Sequence, residues 1–153
     1  MVYGRRRSSF YNISMALEFE LLEHTSDIGI LARGSNREEA LIAASHGLVS
    51  ILVNPTEFRA SEERYFKAPG PDEDAQIVNW LNEILFFFDT EGMVFVEFAI
   101  DSWTSSEITG RAKGERFDID RHELRTAVKA VTYHQFQSHA AEKGWEIRVF
   151  VDV

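Results

Sequence analysis

Two places in the sequence gather groups able to do ligand or acid–base chemistry. His24-Thr25-Ser26-Asp27 puts an imidazole, two hydroxyls and a carboxylate into one polar break between apolar runs. Such a break lines a cleft, binds a cation, or forms a turn in which Ser26 and Asp27 bond the local backbone. Composition alone favours the turn. At the other end, Asp152 carries a side-chain carboxylate and Val153 the terminal one. Adjacent anions repel each other unless water or a cation screens them. Oxygen donors of this kind suit Ca²⁺, Mg²⁺ or Mn²⁺. A terminus is ordinarily a solvated, frayed end, but the alternating run before this one should hold it in a sheet.

The other titratable residues carry weaker signals. His46 lies beside the apolar stripe of a helical pattern and reads as a packing or surface residue. His122 neighbours Glu123 without the spacing of a zinc motif. His134 and Lys129 fall on opposite parities of a strand-like run and so should not share a face. Asp89 and Glu91 close a helix, where the dipole disfavours anions; solvation is the simpler account, a use outside the helix the sharper one. There is no nucleophile elbow and no glycine-rich phosphate loop, since Gly34 stands alone at its strand-to-helix junction.

The elements that must position these groups follow from periodicity. Ala16 to Leu22 alternates Leu17, Phe19 and Leu21 with Glu18 and Glu20, a half-buried strand, and Ile28 to Ala32 is a second short strand. Ser35 with Glu38 makes a capping box for a helix carrying Leu41, Ala44, Leu48, Ile51 and Leu52, which Asn54-Pro55 ends. Phe58 to Ala68 is a charged strand suited to a sheet edge. Pro69-Gly70-Pro71-Asp72 turns the chain into a helix whose stripe is Ile77, Trp80, Leu81, Ile84, Leu85 and Phe88, stopped by Gly92. Met93 to Asp101 and Trp103 to Lys113 form a hairpin, followed by a polar loop to Arg121. Leu124 to Ser138 is strand-like and bent. In the last strand, Trp145, Ile147, Val149 and Val151 alternate with Glu146, Arg148, Phe150 and Asp152. The order predicts an α+β fold: a mixed β-sheet packed against two α-helices in a single two-layer domain.

The chain has 153 residues, enough for one domain with its own core. It contains no cysteine, which removes disulfides, thiolate zinc sites and a cysteine nucleophile and suits a reducing compartment; a cytoplasmic protein is expected. A net charge of -9 argues against unaided RNA binding and for cation capture or docking onto a basic partner. No apolar run is long enough to span a bilayer. Residues 1–15 read as a disordered extension with Arg5, Arg6 and Arg7, and Met15 could start a complete domain over 16–153.

Four ordered blocks resemble the archease family. They are Leu21-Leu22-Glu23-His24-Thr25-Ser26-Asp27-Ile28, the helix segment from Asn79-Trp80-Leu81-Asn82-Glu83 to Gly92, the run from Arg121 to His134, and Trp145 to Val153. Asn79 stands where the family often has Asp. The resemblance implies an accessory protein and not a self-sufficient enzyme. It implies a partner, an RtcB-type RNA ligase, whose guanylylation and multiple turnover the protein promotes in tRNA splicing and RNA repair, meeting RNA only through the ligase. It also implies a metal site on Asp27, Asp152 and the terminal carboxylate of Val153, with Ca²⁺ as the family's ion and Mg²⁺ or Mn²⁺ as alternatives. That reverses the composition-only preference for a turn at Asp27. Clustered carboxylates also permit a stand-alone metal-dependent phosphoesterase or nucleotidyl enzyme, against which stand the absent phosphate loop and nucleophile, and a chaperone-like interaction module needs no metal at all.

Overall fold

The computed structural model describes residues 9–13, 18–23 and 26–153. Sheet A contains, in spatial order, β1 (Tyr11–Asn12), β5 (Met93–Trp103), β6 (Glu107–Arg116) and β4 (Glu62–Pro69). Sheet B contains β2 (Glu18–Glu23), β3 (Asp27–Gly34), β8 (Gly144–Asp152) and β7 (Ala130–Ala141). The helices are α1 (Arg37–Leu52) and α2 (Glu73–Glu91). The fold is α+β, as the periodicity predicts. The expected single mixed sheet is instead two antiparallel ones. The reason lies in the connections: β2–β3, β5–β6 and β7–β8 are joined by short links, which only antiparallel neighbours permit.

Layering also differs from the expected two. The first helix touches β2, β3 and β8 of one sheet and β5 of the other; the second touches β4, β5 and β6 of one and β7 of the other. The helices therefore lie between the sheets. Twelve of the sixteen residues of α1 are buried, which is why its sequence shows only a weak polar face. Small residues let the strands approach it: a Cβ on Gly47 would lie 2.7 Å from Ile30 Cγ2. Within the core, the Trp80 indole N–H donates to Ser45 Oγ at 3.0 Å, and Ser45 donates to the Leu41 carbonyl at 2.8 Å.

Caps fix the helix ends. The N-cap of α1 is Asn36, not Ser35: Asn36 Oδ1 accepts the Glu39 N–H at 2.9 Å, and the Glu39 carboxylate accepts the Ser35 N–H at 3.2 Å. The reciprocal logic of the predicted box holds, one residue later. For α2, Asp72 accepts the Ala75 N–H at 2.8 Å, and Gly92, at φ 69°, donates to the Phe88 carbonyl at 2.9 Å. No helix among the described residues is long and apolar enough to cross a membrane.

The edge position of β4 agrees with its charge, although the strand begins at Glu62 because Phe58 is drawn into the core beside His122. The run predicted as a strand from Leu124 becomes one only at Ala130. Before that, its backbone caps other elements: Arg125 N–H donates to the Leu52 carbonyl at 2.7 Å and Lys129 N–H to the Asp152 carbonyl at 2.8 Å. Part of the expected N-terminal extension is structured as well, since Tyr11 and Asn12 pair with Phe98 and Glu97.

Candidate metal centre

Asp27 opens β3 and Asp152 closes β8, and the register of these neighbouring strands sets them directly opposite each other. Strand alternation decides which way they face. Ile30 and Ala32 of β3 and Ile147, Val149 and Val151 of β8 are fully buried against the helices. Asp27, Gly29, Leu31 and Arg33 therefore share the outer face with Glu146, Arg148, Phe150 and Asp152. The rungs on that face are Arg33–Glu146, Leu31–Arg148, Gly29–Phe150 and Asp27–Asp152. The first is an ion pair at 3.1 Å. The last sets two carboxylates opposite each other, with Cβ atoms about 5 Å apart, an arrangement that is unfavourable by itself.

That rung is the test of whether these residues suit a cation. Among the described residues, neither carboxylate side chain has a hydrogen-bond or ion-pair partner, and no third His, Cys, Asp or Glu completes a cluster around them. The donors of Asp27, Asp152 and Val153 are oxygens, which fit a hard divalent ion. Val153 follows directly and is 36% exposed. Of the polar break, Ser26 and Asp27 are described; His24 and Thr25 lie outside the described residues. A cleft of about 360 Å³, lined by Glu18, Arg33, Gly34, Ser35, Glu39 and Lys143, lies at the opposite end of sheet B. The acids thus sit at an open edge of the molecule and not in that cleft.

The other singled-out residues have structural occupations. His46 is wholly buried. Its Nε2–H donates to the Tyr11 carbonyl at 3.0 Å, its Nδ1 has no partner, and its ring meets Phe98 edge-on. Burial lowers its pKa to about 4, against the raising effect of that hydrogen bond. His122 stacks on Phe58 at 3.9 Å; its Nδ1 accepts the Asp118 N–H at 2.9 Å and its Nε2–H donates to the Glu57 carbonyl at 3.2 Å. Glu91 accepts two hydrogen bonds from Arg64, at 3.1 and 2.9 Å, which explains an anion at a helix C-terminus. Lys129 is placed beside the acids by its backbone bond to Asp152.

His134 has the parity of Ala130 and Thr132, which pair with Asp152 and Phe150 on the outer face, while Lys129 precedes the strand. The β7–β8 register shifts between Thr132 and Gln137, and Gln135 adopts φ 51°. This bulge brings the His134 ring edge-on to Phe150, with centroids 6.0 Å apart. Sequence reading does not single out Gly29 or Phe150. The signal was present in part: an isolated glycine inside a strand marks a close approach.

The comparisons with known proteins agree with one another. The model of the Archease protein family (MTH1598/TM1083) matches residues 19–153. Protein archease of Methanosarcina barkeri is 31% identical over 144 residues, covering 92% of this chain and 99% of its own. Protein archease of Saccharolobus solfataricus is 38% identical over 138 residues, covering 89% and 99%. Among solved structures, the solution structure of Methanobacterium thermoautotrophicum protein 1598 superposes with a TM-score of 0.76 at 32% identity, covering 88% of this chain and 98% of that one. With a family match across nearly all the described residues, relatives above 30% identity along almost their whole length, and the same fold, this chain belongs to the archease family.

Proposed function

We propose that the protein is an accessory factor for an RtcB-type RNA ligase, presenting a divalent cation held by Asp27, Asp152 and Val153 to the ligase's nucleotide site. The observation that carries this reading is the Asp27–Asp152 rung, two carboxylates without a partner among the described residues, opposed on adjacent strands at an exposed sheet end. Family membership supports the accessory role. The strand register fixes the backbone positions of the two acids, so only their side chains need be ordered when a cation binds. Two or three carboxylate oxygens leave coordination positions open for water or a partner's group, out of about six to eight for Ca²⁺. A bound divalent ion would supply charge neutralisation at phosphate oxygens. The net charge of -9 favours approach to a basic protein surface and disfavours direct capture of RNA, so RNA is met through the ligase.

The test uses purified ligase, GTP and RNA ends. Asp27→Ala and Asp152→Ala are each expected to cut stimulation of ligase guanylylation at least about tenfold, in line with lost metal affinity. The protein alone should leave GTP and RNA unchanged. Undiminished stimulation by Asp27→Ala would sink the proposal.

A further inference from the structure

We infer that Phe150, seated on Gly29 and met by His134, is the positioning residue that holds Asp152 opposite Asp27. The inference rests on the reading that these two acids bind a divalent cation. Its basis is geometric. The Gly29–Phe150 rung is the next one along the outer face from Asp27–Asp152, so each of its residues lies two positions from one acid. Phe150 is only 2% exposed although it points away from the helix layer. Two features seat its ring and a third fixes its backbone.

The first is Gly29 itself. A Cβ there would lie 2.8 Å from Phe150 Cε1 and 3.1 Å from Leu22 Cβ, so the ring comes down onto the β3 backbone only because the side chain is missing. The second is the β7 bulge, which turns the His134 ring against the Phe150 edge. The third is Thr132, whose hydroxyl donates to the Phe150 carbonyl at 3.3 Å and whose Oγ1 also accepts the His134 N–H at 3.3 Å. Glycine and bulge seat the ring, and the hydroxyl ties the Phe150 backbone to that of His134.

The effect of that ring is on Asp152. The end of a strand frays unless its side chains are packed. Anchoring Phe150 holds the last rung in register and keeps the two carboxylates at one separation. The ring also walls off one side of the pair with apolar material, where attraction between carboxylates and a cation is stronger than in open water. His134 acts here by packing and not as a ligand.

The experiment is a Mn²⁺ titration of the full chain by isothermal calorimetry, with thermal melts on the same samples. The variants are Gly29→Ala, Phe150→Leu, the double variant, His134→Ala, His134→Phe, Asp27→Asn, and Ile84→Val as a core change elsewhere. Asp27→Asn is expected to remove binding. Gly29→Ala, Phe150→Leu and His134→Ala should each weaken it, the first two about tenfold, as is usual for groups that orient ligands. The double variant should bind no worse than Phe150→Leu, because the smaller side chain makes room for the new Cβ. His134→Phe should bind as wild type, and Ile84→Val should lower the melting temperature without touching affinity. His134→Ala, at an exposed position, keeps the test open if Gly29→Ala fails to fold. Wild-type affinity in both Phe150→Leu and His134→Ala, with none in Asp27→Asn, overturns the positioning role alone. Lost binding in His134→Phe makes His134 a ligand and overturns it too. Wild-type binding by Asp27→Asn overturns the carboxylate site itself and the inference with it.

Discussion

A carboxylate facing another carboxylate across a ladder stabilises nothing until a cation joins them. Asp27→Asn should therefore raise the melting temperature of the chelated protein, by the equivalent of about 0.5 kcal/mol. Adding Mn²⁺ should reverse the order, with wild type melting above the variant. Thermal melts in chelator and in Mn²⁺ check both halves. His46 makes a second prediction. Its folded pKa of about 4 lies below the value of 6.5 for a free imidazole, so the unfolded chain binds more protons between those limits. Stability is then fully present above pH 6.5 and is lost as pH falls towards 4, by about 3 kcal/mol at most from this one group. His46→Leu should flatten that part of a stability–pH curve measured by urea unfolding. At this scale residue type marked Asp27 and Asp152 as possible oxygen donors but favoured a turn at Asp27, and only the family resemblance joined the two acids. Their opposition was not legible, because it depends on a register between distant strands that periodicity does not encode.

At the scale of elements, the N-terminal segment departs most from expectation. Phe10 lies under two cations, Arg111 at 4.7 Å and Lys113 at 4.3 Å from its ring centre. The Tyr11 hydroxyl donates to Glu39 at 3.5 Å, and its carbonyl accepts a hydrogen bond from buried His46. A chain starting at Met15 would leave both His46 nitrogens unpaired in the core. Deleting residues 1–13 should cost about 2–3 kcal/mol, read from urea unfolding, with faster hydrogen exchange at Glu97 and Phe98. Arginines in a polar stretch hid this segment, and nothing local announces that a tyrosine carbonyl will cap a histidine many residues away. By contrast α2 was legible almost to the residue. Its stripe, Asp72 cap and Gly92 stop are all local signals. The strand β7 fell between these cases, since alternation marked its existence while the bulge at Gln135 shifted the faces.

For the whole molecule, two sheets enclosing a helix layer explain why the acids have a rigid base. Sheet B is backed along β3 and β8 by the enclosed α1, so the outer rungs are carried on the core. Composition and patterning located the α+β class but not the second sheet, because each hairpin reads the same whichever sheet it joins. The position of β8 has a further consequence, for synthesis. It is made after every other strand described, yet it sits between β3 and β7. A nascent chain halted before Gly144 holds those two strands with no common neighbour, and Asp27 has nothing opposite it. Ribosome-bound chains stopped there should be cut readily by protease across residues 18–34, and chains released whole should resist. The facing of the two acids would then arrive in one step, when β8 inserts between its neighbours.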